Sequence, residues 1–258
     1  MSRISKTGVI TASVLSSVGL LLAPATTLAL GARATTASTS AFCTNLPTKA
    51  SDITAKLNDL TGKVTQAWSQ QDQKLTADEA KVDQTVTADR ARADAERAAD
   101  FAKLEAKATT DSEKQAVTTY EATVKDAVST RRAAYDAARQ TFRDGVKSAI
   151  TARRSTITGQ MSTFQSSASS ALATAEASCA SNATNGATIR QTLVASLKSA
   201  RQTFESQRQA DATVGNQVSQ LAATRNTAFQ TADQTFKNSM TTARTALKQA
   251  FGNKSSTV

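Results

Sequence analysis

The chain has 258 residues and a formal charge of +10, with only two prolines, nine glycines and eleven aromatic side chains. That composition favours long helices over a compact α/β or all-β fold. Without histidine, and with two cysteines, the chain lacks the commonest general base and the ligands for an ordinary zinc or iron–sulfur cluster. No cofactor and no metal are expected, and enzymatic catalysis is the function class the composition supports least.

Residues 1–34 carry the three parts of a secretory signal. Arg3 and Lys6 open it, an uncharged run extends from Gly8 to Gly31, and Ala32-Arg33-Ala34 offers a small-residue cleavage site. Cleavage after Ala34 predicts an exported, extracytoplasmic chain. If the signal stays, the same run would act as an N-terminal membrane anchor. Removing Arg3, Lys6 and Arg33, with no acid before Asp52, leaves a charge of about +7. Residues 35–50 read as a Ser/Thr-rich spacer ending in Leu46-Pro47.

Ser51-Asp52 supplies N-cap chemistry ahead of an apolar series from Ile53 to Leu104, predicting a first helix over about 52–108. Thr76-x-x-Glu79 is a capping box that would restart it. Between Val86 and Phe101 the apolar stripe holds only alanines, flanked by Arg90/Asp94 and Arg92/Glu96 pairs, so weak packing is expected there. A reversal falls at Ala108-Thr109-Thr110-Asp111, where Thr110-x-x-Glu113 forms a second capping box. Helix two then runs over about 112–178, with Val117, Tyr120, Val124, Tyr135, Phe142, Ile157 and Phe164 on one face. The polar stretch from Cys179 to Ala187, with its Asn185-Gly186 turn signal, ends it. Thr188-x-x-Gln191 caps a third helix over about 188–251, read as continuous apart from a possible kink or hairpin at Val214-Gly215-Asn216. Residues 253–258 form a free tail.

Three segments of similar length joined by short connections predict an all-α fold, an elongated antiparallel three-helix coiled bundle over residues 51–252. The same patterning also permits long helices that associate in trans. Cys43 and Cys179 lie equally far from residue 111, where the composition places the reversal, so a hairpin brings them to the same end. In an exported protein such a pair predicts a disulfide, with free thiols or an interchain bond as alternatives.

An internal phrase recurs in Ala138-Arg139-Gln140-Thr141-Phe142, Ala200-Arg201-Gln202-Thr203-Phe204 and Ala232-Asp233-Gln234-Thr235-Phe236. The first and third share more. Thr130-Arg131 with Tyr135 matches Thr224-Arg225 with Phe229. Duplication of a helical unit accounts for this, and the aromatic stripe reads as core. The pattern of Phe42-Cys43, Thr130-Arg131-Arg132-Ala133-Ala134-Tyr135 and Ser178-Cys179 resembles secreted coiled-coil proteins of small-genome candidate-phyla bacteria. The resemblance covers residues 42–179, implies bacterial export, and brings no activity or functional residues with it.

The candidate site is a basic cluster: Arg131, Arg132, Arg139, Arg143, Lys147, Arg153 and Arg154, with only Asp136 and Asp144 among them. On a long helix these would present a positive surface to polyanions such as anionic wall polymers, lipid headgroups or nucleic acid. The expected partners are envelope polymers or another protein, with self-association through the coiled coil also open. The expected function is a non-enzymatic structural or interaction protein that spaces or bridges envelope components. The alternative is an extracytoplasmic holdase or a polyanion- or lipid-binding module.

Overall fold

The computed structural model describes residues 40–210 and 214–252. The signal segment, residues 35–39 of the spacer and the tail at 253–258 lie outside the described residues. Every described element is helical: α1 (Ser40–Lys107), α2 (Asp111–Ser181), α3 (Gly186–Ala210) and α4 (Val214–Gly252), with a short 3₁₀ turn at Ala183–Asn185 before α3. They form two units. The first takes residues 1–75 and 149–215, the second residues 76–148 and 216–258.

Four helices replace the three expected. The third segment is two helices, ending at Ala210 and beginning again at Val214. Helix one also starts at Ser40, so the spacer expected over 35–50 is helical from Ser40 onward. Pro47 lies inside α1, where it gives up one backbone hydrogen bond. Tertiary burial outweighs that loss: Leu46, beside it, is 1% exposed and packs with Leu172, Ala175 and Leu193. Phe42, Ile53, Ile189 and Leu197 close around this cluster, so the approach to the expected first helix is part of the first unit's core. Cys43 and Cys179 form a disulfide beside it, with Cα atoms 5.4 Å apart.

The reversal between α1 and α2 falls where the capping box places it. The Thr110 hydroxyl accepts from Glu113 N–H at 3.2 Å. The Glu113 carboxylate accepts from the N–H groups of Thr110 and Thr109 and from the Thr109 hydroxyl, at 2.8 to 3.0 Å. Glu113 is 2% exposed, and the donors that would otherwise be left without partners at this helix start converge on it. The other two boxes are not used this way. α1 runs unbroken through Thr76 and Glu79, and α3 begins at Gly186, two residues before Thr188. The chain turns at Asn182, with φ −151° and ψ 74°, while Gly186 is already helical at φ −58°. The Asn185-Gly186 pair therefore starts a helix instead of making a left-handed turn.

The stripe that α1 turns inward repeats every eleven residues. Val64, Leu75, Val86, Arg97 and Ala108 make one register, and Leu46, Leu57, Trp68, Glu79, Arg90 and Phe101 another, none of them exposed. Eleven residues in three turns is close to the natural twist of an α-helix, so such a stripe needs little winding to keep facing its neighbour. In the second unit Tyr135 stacks on Phe229 at 4.1 Å and Phe101 meets Tyr120 edge-on at 6.2 Å. α4 approaches α2 closely at Gly145, where a Cβ would stand 2.6 Å from Leu221 Cδ2.

Two stability predictions follow from these contacts. Glu113→Ala strips three donors of their acceptor and is expected to cost about 1–3 kcal/mol in urea unfolding, with Glu113→Gln losing less. The Cys43–Cys179 bond closes a loop spanning a sequence separation of 136, so its reduction should lower the unfolding free energy by about 2–5 kcal/mol. Equal denaturant midpoints with and without reductant would contradict the second.

Candidate functional site

The basic cluster lies on α2, and most of it faces α1 across a repeating contact. Arg132 donates to both Asp94 oxygens at 2.9 Å and to the Arg90 carbonyl at 3.3 Å. Eleven residues on, Arg143 donates to both Asp83 oxygens at 3.0 and 2.6 Å and to the Glu79 carbonyl at 3.4 Å. Eleven further, Arg154 donates to Asp72 at 2.7 Å and to the Trp68 carbonyl at 3.2 Å.

Each arginine thus takes one carboxylate and the carbonyl four residues before it, one helical turn back on the same face of α1. The guanidinium suits this bridging task because its fork presents several N–H groups in one plane. Another step of eleven replaces the charges with neutral groups: Gln165 donates to the Thr61 hydroxyl at 3.0 Å and to the Leu57 carbonyl at 3.5 Å. A step the other way pairs two carboxyl groups, Glu121 and Glu105. The hydrogen bond between them raises the Glu105 pKa, while the Lys125 ammonium at 2.9 Å lowers that of Glu121.

The other predicted residues are engaged as well. Arg131 reaches Asp233 of α4 at 2.6 Å, and Lys147 reaches Glu79 at 3.3 Å. Arg139 lies 3.4 Å from Asp136, whose two oxygens are already held by Arg90 at 2.9 and 2.6 Å. Arg153 is partly buried on α2. The predicted cluster is therefore distributed over contacts with α1 and α4. Arg90 and Asp94, expected to pair along α1, instead reach across to Asp136 and Arg132. The alanine-lined part of α1, expected to be weakly packed, carries two of the cross-helix pairs, Arg90–Asp136 and Arg132–Asp94.

Asp72 and Asp83 were not singled out from the sequence, and Asp94 only as a partner of Arg90 along α1, although the three carry the same spacing as Arg132, Arg143 and Arg154. Two grooves accompany the helices, about 750 Å³ between α2 and α3 in the first unit and about 910 Å³ between α2 and α4 in the second. Both are lined mainly by Ala, Ser and Thr. Among the described residues no His/Cys/Asp/Glu group could hold a metal ion, and no helix is long and apolar enough to cross a membrane. No protein-family model matches the chain, and neither the curated proteins nor the solved structures give a match.

The cross-helix pairs give stability a direction in pH. Hydrogen bonding from Arg143 holds Asp83 below its ordinary value of 3.8, and Arg132 and Arg90 do the same for Asp94 and Asp136. Folded-state values below the unfolded ones mean that this stability is complete above the unfolded value and is lost as pH falls through the folded ones. The urea midpoint should therefore hold steady from neutrality to about pH 5 and drop below about pH 4. Arg143→Met, expected to cost no more than about 1 kcal/mol at neutral pH because Asp83 is largely exposed, should make that acid drop shallower. An unchanged acid limb in this variant would remove Asp83 from the account.

Proposed function

We propose that this chain is a non-enzymatic exported structural protein, a basic helical rod that spaces or bridges components of the cell envelope. The observation that carries the reading is the destination of its cations. Arg132, Arg143 and Arg154, which would make a polyanion surface if they projected outward, are bound to Asp94, Asp83 and Asp72 of α1. A chain that commits its arginines to holding helices in register is suited to spacing, and long α1 and α2 supply the reach. The Cys43–Cys179 bond supports an oxidising, extracytoplasmic location. The elongated antiparallel bundle, with α3 and α4 together taking the place of its third strand, belongs to the same proposal.

Two measurements on the full chain test it. Small-angle scattering should give a radius of gyration well above the roughly 18 Å of a globular chain of this length; a value near 18 Å overturns the rod. Co-sedimentation with purified envelope material should retain the protein at low and moderate salt, whereas saturable capture of unfolded polypeptides with no envelope retention would establish the holdase alternative. Retention abolished by moderate salt would identify simple polyanion binding instead.

A further inference from the structure

The repeated phrase of α2 and α4 is folded around a local two-fold relation, and one half of it lacks a carboxylate. Thr130-Arg131 with Tyr135 and Phe142 corresponds to Thr224-Arg225 with Phe229 and Phe236. The two helices bring these phrases together head to tail, with the Tyr135–Phe229 stack at the centre, rings 4.1 Å apart and 5° from parallel.

On one side of the stack Arg131 lies over Tyr135 and over Phe236 of the opposite helix, each at 5.1 Å. On the other, Arg225 lies over Phe229 at 5.8 Å and over Phe142 of the opposite helix at 4.6 Å. The correspondence breaks at the counter-ion. Arg131 meets Asp233 at 2.6 Å. In the sequence repeat the residue that corresponds to Asp233 is Arg139, whose positive charge acts on Arg225 where a carboxylate acts on Arg131.

Among the described residues no carboxylate makes up the deficit at Arg225. Arg225 donates only to the neutral Asn226 Oδ1, at 3.0 and 3.3 Å, and among the described residues no carboxylate lies at ion-pair distance from it. Arg139 lies over the same Phe229 ring at 5.7 Å, and its acid, Asp136, is shared with Arg90. Arg90 and Arg139 thus share one carboxylate at ion-pair distance, Asp83 acts on Arg139 from farther off while paired with Arg143, and Arg225 has none among the described residues. Burial, and then the Arg139 charge, lower the Arg225 pKa from its ordinary value.

We propose that Arg139 and Arg225 form an oxoanion site that takes a carboxylate or phosphate group in the place Asp233 occupies in the other half. Two guanidiniums beside one aromatic ring, Arg139 at 5.7 Å and Arg225 at 5.8 Å from the centre of Phe229, offer forked N–H donors to a planar or tetrahedral anion, in a partly desolvated setting where charge-assisted hydrogen bonds are strong. The site does not depend on the envelope reading, since a free anion and an acidic side chain of another polypeptide carry the same chemistry.

Calorimetric titration of the full chain with inorganic phosphate, succinate and a short glutamate-containing peptide, each against chloride at matched ionic strength, tests the site. Saturable one-to-one binding is expected, weakened at least tenfold in Arg225→Gln and lost in Arg139→Asp, which supplies its own carboxylate. Because Arg139→Asp also gives up the contact with Asp136, its unfolding temperature is measured alongside to confirm that the folded protein is the species titrated. Tighter binding of the peptide than of succinate assigns the anion to a polypeptide side chain, and the reverse to a free metabolite. Binding that persists unchanged in Arg225→Gln, or a response no greater than that to chloride, overturns the proposal.

Discussion

The packing of α2 on α1 depends on one recurring contact: an arginine that grips a carboxylate and the backbone carbonyl one turn before it. It appears at Arg132, Arg143 and Arg154, and in neutral form at Gln165. In a helix pair with few large apolar residues, the contact fixes both lateral position and register. The carbonyl acceptor matters as much as the acid. An Asp carboxylate can still rotate about its side-chain bonds, whereas a backbone oxygen belongs to one place on the helix. Each arginine therefore reads position on α1 through a rigid atom and charge through a mobile one. Exposed pairs of this kind contribute little energy singly. Their influence comes from repetition at a spacing shared by both helices.

Much of the local architecture was legible because it uses short-range chemistry. The reversal at residues 108–110 follows from Thr110 and Glu113, whose reciprocal hydrogen bonds need only four consecutive residues. The cysteine pairing followed from the symmetry of Cys43 and Cys179 about that reversal. Two features were hidden by competing signals. Pro47 and Ser51-Asp52 resemble the end of a spacer, and only the burial of Leu46 against α2 and α3 shows why the helix continues through them. The division between α3 and α4 coincides with a change of phase. Leu193 and Phe204 set an eleven-residue register that would continue at Gly215, but α4 uses Val214, Arg225, Phe236 and Leu247. A slip of one residue is invisible when apolar positions are counted in threes, fours and sevens.

The basic cluster shows a different limit. Its positive charge is evident from composition, but composition is silent on where the acids lie. Asp72, Asp83 and Asp94 are far from the cluster in sequence and next to it in space. The antiparallel pairing brings them there, and the matched spacing was the available clue. Arg225 is the reverse case. It looks unremarkable in the sequence and becomes distinctive only beside Arg131, which has the acid that Arg225 lacks.

The eleven-residue contact also sets a unit of length. Each repeat advances a helix by about 16.5 Å and returns the arginine, the acid and the carbonyl to the same relative positions. Inserting eleven residues at matched points of α1 and α2 would keep the α1–α2 contacts in phase, while the contacts of α2 with α4, such as Arg131–Asp233 and Tyr135–Phe229, would call for a matching change there. Inserting into only one helix, or by another count, would break the match along the remainder of the pair. The eleven-residue step is thus a register rule for the α1–α2 pair, set by where one side chain finds its two acceptors.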